Sequence, residues 1–184
     1  MRIRRHLPIC LALLALATPA GAQDNGKTGI TMGYPASIGI IWQASDKVAI
    51  RPELSFSGGS GKVSGSSFVT DSDSWTVATG VSALFYLHTY DHLRTYFSPR
   101  FTYSHISATT NASGFTNSST TTKGNGTSVA GSFGAQYALG DKFSVFGEVG
   151  FGFGHSTTKS GITSAKASGN SWATRTGVGV IFYP

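Results

Sequence analysis

Cysteine and charge are both scarce in this 184-residue chain. The single cysteine, Cys10, lies in an N-terminal apolar run, so the rest of the chain can form neither disulfides nor cysteine-based metal sites. Charged residues make up 12% of the chain, whereas a soluble surface carries roughly 25–35%. The basic residues form no run and no helical face, which excludes nucleic-acid binding.

The N-terminal segment has the three parts of a secretory signal. Arg2, Arg4 and Arg5 form a basic region, and residues 7–16 form an apolar run that is too short to cross a bilayer as a helix. Residues 20–22, Ala-Gly-Ala, match a cleavage site. We therefore expect residues 1–22 to be a signal peptide and residues 23–184 to form one domain.

Alternation with a period of two dominates the remaining sequence, and no segment shows sustained helical periodicity. In residues 75–87, for example, Trp75, Val81 and Phe85 share one phase. Pro35 divides the stretch 27–43, because proline presets a turn and cannot donate to a sheet ladder. Eight strands result, at residues 27–34, 36–43, 48–56, 75–87, 95–107, 127–139, 143–153 and 172–182.

The connections between these strands alternate in length. The short ones are 44–47, 88–94 and 140–142, and the long ones, rich in Ser, Thr, Gly and Asn, are 58–73, 108–126 and 155–170. Short turns at one end and long loops at the other are typical of a membrane barrel. The predicted fold is therefore all-β, an eight-stranded antiparallel up-and-down transmembrane β-barrel.

Five charged residues fall inside the predicted strands, each on the less apolar face. A membrane barrel turns its apolar face to lipid and its polar face to the lumen. Eight strands enclose a lumen that side chains just fill, and isolated charges there are costly. We therefore predict that the five residues pair in a lumen charge network that plugs the barrel. They are Arg51, Glu53, Arg100, Glu148 and Arg175.

Aromatic residues stand near the predicted strand ends, where the girdles of a membrane barrel belong. The predicted girdle residues are Trp42, Trp75, Phe85, Tyr103, Tyr137, Phe143 and Trp172.

The last predicted strand carries a spaced motif of a polar residue, a glycine, a hydrophobic residue and an aromatic residue: Arg175, Gly177, Val180 and Phe182. The motif resembles the C-terminal assembly signal of small Gram-negative outer-membrane β-barrel proteins, the OmpA/OmpX-like barrel domains, although Tyr183 and Pro184 follow the aromatic position here. The resemblance implies export to the outer membrane and insertion by the barrel-assembly machinery. It also implies contact with outer-membrane lipids and lipopolysaccharide.

Other functions stay open at this point. His105 and Ser107 have the His-x-Ser spacing of outer-membrane lipid A deacylases, but no acidic residue occurs between Asp91 and Asp141. A narrow porin-like channel would need gaps in the lumen, and a soluble ligand-binding barrel would need the apolar faces inside.

The turn that holds His88, Asp91 and His92 offers metal ligands without a rigid support. We expect a structural or cell-surface interaction protein that is not an enzyme and has no cofactor or metal site. The long loops are too low in complexity to identify a surface partner.

Overall fold

The computed structural model describes residues 28–35, 37–114, 117–161 and 165–184. These residues form eight antiparallel strands in one closed barrel, ordered β1 to β8, with β8 paired to β1. The strands are β1 Thr28–Tyr34, β2 Ser37–Ser45, β3 Val48–Ser64, β4 Val69–Tyr90, β5 Leu93–Ser113, β6 Ser118–Gly140, β7 Phe143–Ser160 and β8 Lys166–Phe182. The predicted all-β, eight-stranded up-and-down barrel is confirmed. The expected signal peptide, residues 1–22, lies outside the described residues.

Three two-residue turns lie at one end of the barrel, which we call the turn end. Each begins with aspartate, a residue favoured in tight hairpin turns: Asp46-Lys47, Asp91-His92 and Asp141-Lys142. Asp91 has a φ of 47°, a left-handed conformation that aspartate tolerates. The described residues contain no helix long and apolar enough to span a membrane.

The opposite end, the hairpin end, differs from the prediction. The segments expected to be long loops are mostly strand. The β3–β4 ladder continues to Ser64 and Val69, and the β7–β8 ladder continues to Lys159 and Lys166. The prediction of loops was wrong because both faces of these segments are polar. The apolar–polar contrast that marks a strand in a sequence disappears there, while the backbone ladder continues.

The β1–β2 hairpin is much shorter than the other three at this end. Its turn lies at Pro35, as predicted, and Ser37 of β2 pairs with Ser55 of β3. Strands β3 to β8 continue beyond that level as a six-stranded sheet, which we call the raised sheet, between residues 56–64 of β3 and 166–177 of β8.

The outer wall of the barrel carries a belt of exposed apolar side chains. It includes every predicted girdle residue: Trp42, Trp75, Phe85, Tyr103, Tyr137, Phe143 and Trp172. The buried apolar cluster lies inside, near the turn end, and consists of Ile41, Ala49, Leu84, Tyr86, Tyr96, Ile181 and Tyr183. The alternating strand pattern therefore separates an apolar exterior from a lumen that contains most of the buried polar groups, Arg51 and Glu148 among them.

Candidate functional site: the charged lumen

Arg51 and Glu53 share the inward face of β3, because successive side chains of a strand alternate between the two faces. The Arg51 side chain is fully buried and that of Glu53 is 9% exposed. Their closest polar atoms, Nε of Arg51 and Oε1 of Glu53, are 3.0 Å apart. The charged side chains of Arg51 and Glu53 therefore point into the lumen and pair with each other.

Arg100 and Glu148 complete a four-membered ion-pair network. Arg100 Nη1 lies 2.6 Å from Glu53 Oε2, and Arg100 Nη2 lies 3.3 Å from Glu148 Oε2. Glu148 Oε1 also accepts from Arg51 Nη2. Two arginines and two glutamates thus alternate around a closed loop of contacts, so each buried charge has two partners of opposite sign.

Neutral side chains hold this network in place. The Tyr96 hydroxyl donates to Glu148 Oε1 at 3.0 Å, and the Arg51 guanidinium lies 4.9 Å from the ring centre of Phe146. Arg51 Nε also donates to the Ser82 hydroxyl at 3.3 Å.

Arg175, the fifth predicted member, does not join the ion pairs. No carboxylate of the described residues forms a salt bridge with it, and its buried Nε has no hydrogen-bond partner. The charged members of the network come from the odd-numbered strands β3, β5 and β7, whereas Arg175 lies on β8. Inward residues of alternate strands occupy different layers of a small barrel, which explains the separation.

A second layer closes the lumen toward the turn end: Gln43, Tyr86 and Gln136 lie on the even-numbered strands β2, β4 and β6, and Tyr183 directly follows β8. Gln43 Nε2 donates to the Tyr86 hydroxyl at 2.9 Å, which donates to Gln136 Oε1 at 3.3 Å. Gln136 Nε2 then donates to the Tyr183 hydroxyl at 3.3 Å. Arg94 lies 3.6 Å from the ring centre of Tyr86. Sequence reasoning missed this layer, although its members have the phase opposite to the apolar belt.

The structure also gives a role to Tyr183, one of the two residues that follow the aromatic position of the predicted assembly motif. Phe182 points outward and is exposed, whereas the next residue, Tyr183, turns inward and is buried. The structure places Arg175, Gly177, Val180 and Phe182 on β8, where Val180 pairs with Met32 of β1. The predicted motif therefore lies on the strand that closes the barrel.

Small residues make room for the large side chains of the lumen. A Cβ atom on Gly134 would lie 2.5 Å from the Tyr96 ring, and one on Gly179 would lie 2.6 Å from the Phe146 ring. Both distances are far below van der Waals contact, so larger residues would displace the rings. Glycine at these positions therefore permits the packing around the charged network.

The other candidate groups are placed as follows. His105 Nδ1 is hydrogen-bonded to Asn125 Oδ1 at 2.7 Å, so its partner is an amide and not a carboxylate. The neighbouring Ser107 is buried. His92 contacts Asp91 at 3.5 Å, and the described residues hold no group of three metal-ligating side chains. Among the residues that the structure describes, His105 therefore has no carboxylate that could serve as the third member of a His-x-Ser catalytic group.

The comparisons with known proteins support the fold. No protein-family model and no curated protein sequence matches the chain. A major outer membrane protein of Thermus thermophilus is structurally similar, with a TM-score of 0.57 and 10% identity over 85% of this chain and 98% of that chain. CarO2 of Acinetobacter baumannii gives a TM-score of 0.47 and 16% identity over 86% and 97% of the two chains. The first likeness shows a shared barrel fold, and the OmpA/OmpX-like family assignment stays a prediction.

Proposed function

We propose that this chain is an integral outer-membrane β-barrel with a closed lumen and a structural or cell-surface interaction role. The observation that carries the proposal is the inverted distribution of polarity. Exposed apolar side chains surround the wall, while Arg51 and Glu148 are buried inside it. A soluble monomer rarely exposes a contiguous apolar patch larger than a few hundred Å², so lipid is the solvent that fits this continuous apolar exterior.

The lumen contents favour a closed barrel. The ion pairs of Arg51, Glu53, Arg100 and Glu148 join three strands, and the Gln43–Tyr86–Gln136–Tyr183 chain lies beneath them. An eight-stranded barrel leaves an interior that side chains can fill. With the lumen blocked, the part of the raised sheet that lies beyond Trp75 and Trp172, toward the hairpin end, is available to partners outside the membrane.

A narrow channel for small solutes or ions is the second candidate. Arg175 lacks an ion-pair partner within the described residues, and the inward positions of the raised sheet are mostly Gly, Ala, Ser and Thr. These small residues leave space above the network, so the two candidates differ in whether the network lets ions pass.

Two measurements test the proposal. The refolded protein should migrate faster on a cold SDS gel before boiling than after it, as a closed, detergent-resistant barrel does. In planar bilayers the wild type should give no steady conductance, and a channel that opens in Arg100→Ala but not in Lys62→Ala would identify the network as the plug. Steady conductance by the wild type would favour the channel, and good solubility without detergent would overturn the membrane assignment.

A further inference from the structure

Three lysines occupy neighbouring positions on the raised sheet. Lys123 of β6 pairs with Lys159 of β7, which pairs with Lys166 of β8. We call these residues the lysine row. All three are exposed. They point outward, as Val129, Phe153 and Trp172 do on the same strands, because no register shift lies between each lysine and the apolar residue on its strand. The row therefore continues the same outer face as the apolar belt.

The lysine row is electrostatically unfavourable in the isolated protein. Like charges directly opposite one another on neighbouring strands destabilise a sheet. Within the described residues, no carboxylate forms a salt bridge with any of the three, whereas Lys62 on the same sheet contacts Asp71 at 3.9 Å. A charge-poor chain that places three cations side by side has the electrostatics of an anion site.

Two hydrogen-bonded His–Asn pairs separate the lysine row from the apolar belt. His105 bonds Asn125 and His155 bonds Asn170, each at 2.7 Å between a ring nitrogen and an amide oxygen. Each pair joins neighbouring strands. The outer face thus changes from apolar to polar, and then to the lysine row, toward the hairpin end.

The height of the lysine row discriminates between lipid headgroups. Each lysine lies six positions beyond Val129, Phe153 or Trp172 on its own strand. That is ~20 Å of strand, or about 15 Å of height at a tilt of ~40°. The headgroup layer of an ordinary bilayer is only about 5–8 Å thick per leaflet. A headgroup that reaches the row must therefore contain several sugars.

We propose that the outer face of β5 to β8 binds a phosphorylated glycolipid of the lipopolysaccharide class. Its acyl chains pack against Phe153 and Trp172, its sugars contact the two His–Asn pairs, and its phosphates bind the lysine row. The proposal rests on the membrane location given under Proposed function. It is independent of the lumen, because none of these side chains points inward.

The test compares two triple variants that lose the same charge. The first, K123Q/K159Q/K166Q, removes the lysine row, and the control, K47Q/K62Q/K142Q, removes lysines from two turns and from β3. Retention of purified lipopolysaccharide by each refolded barrel would be measured by native mass spectrometry, with gel mobility as the check of folding. We expect at least ten-fold weaker binding for the first variant, less than two-fold change for the control, and similarly weak binding of dephosphorylated lipopolysaccharide to the wild type.

Several results would overturn this assignment. If both triple variants lost the same amount of lipopolysaccharide binding, binding would depend on net charge alone. If K123Q/K159Q/K166Q bound as well as the wild type, the lysine row would not be part of the site. Displacement of the lipid by millimolar inorganic phosphate would indicate a general anion site.

Stability without lipid provides a second check. In lipid-free detergent the first variant should be at least as stable as the wild type, since like charges have been removed, and a clear loss of stability would assign the lysines a structural role. Conductance by the wild type would overturn the closed lumen and leave this binding result unaffected.

Discussion

Arg51 and Glu148 lie 97 positions apart in the sequence and form an ion pair inside the barrel. Their strands, β3 and β7, are four strands apart in either direction around the ring, so the pair crosses the lumen. Arg100 of β5 contacts Glu148 and also Glu53 of β3, and thereby joins the third odd-numbered strand of the network. The network therefore couples three parts of the wall that share no backbone ladder.

Glu148→Gln should destabilise the barrel strongly. Arg51 is fully buried, and the neutral amide would leave it with one carboxylate in place of two. Breaking a buried ion pair by removing one partner costs about 3–5 kcal/mol. Urea unfolding of the protein in lipid vesicles measures this loss. Asp71→Asn breaks the exposed pair with Lys62 and should cost less than ~1 kcal/mol, so equal losses would contradict the buried network.

Gly134→Ala should disturb the lumen through Tyr96. The added methyl group would lie 2.5 Å from the ring, and moving the ring weakens the bond from its hydroxyl to Glu148. Overpacking of this kind costs about 1–3 kcal/mol, which the same urea titration would detect. Gly147→Ala is the matched control on the neighbouring strand, since its Cβ would meet nothing within 4 Å. Equal stability of Gly134→Ala and Gly147→Ala would contradict this prediction, because it would show that the Tyr96 ring can move without cost.

Phe182→Ala should slow assembly more than it lowers stability. Phe182 is exposed on the outer wall, so its removal loses little packing, whereas the predicted assembly signal requires an aromatic residue there. The measurement is the yield of folded protein, detected by its change in gel mobility on boiling. This yield would be compared between spontaneous refolding in detergent and insertion by reconstituted barrel-assembly machinery. Phe143→Ala removes its exposed cross-strand neighbour as a control. The same insertion defect in both variants would argue against a specific signal.

The three tryptophans should report the edges of the apolar belt in a bilayer. Trp42, Trp75 and Trp172 all point outward and are exposed. In bilayers of brominated lipids, each single-tryptophan variant should be quenched most by bromine near the headgroup end of the acyl chain, where aromatic girdles lie. Maximal quenching by bromine at the chain terminus would place that residue at the membrane centre. Absence of quenching for all three would contradict the membrane assignment.

Much of the fold follows from local sequence. Alternation of the kind seen in 75–87, repeated along the chain, together with Pro35 between the first two strands, predicts eight strands. The same alternation assigns Arg51, Glu53, Arg100 and Glu148 to the inward phase, because the two faces of a strand are fixed by a period of two.

The part of the raised sheet nearest the hairpin end could not be predicted in the same way. Residues 58–73, 108–126 and 155–170 are mostly polar on both faces, so they lack the contrast that separates a strand from a loop, and the lysine row emerges only when Lys123, Lys159 and Lys166 are aligned by the ladders.

The amino-acid sequence by itself determined which side chains share a face of each strand, since that depends only on position within a strand. The tertiary structure decided which of them meet. Barrel closure and stagger placed Arg51 against Glu148 across the lumen and joined Gln43, Tyr86, Gln136 and Tyr183 in another layer. Arg175 has the same inward phase but forms none of these ion pairs, because layer membership depends on the pairing of all eight strands and not on the pattern within any one of them.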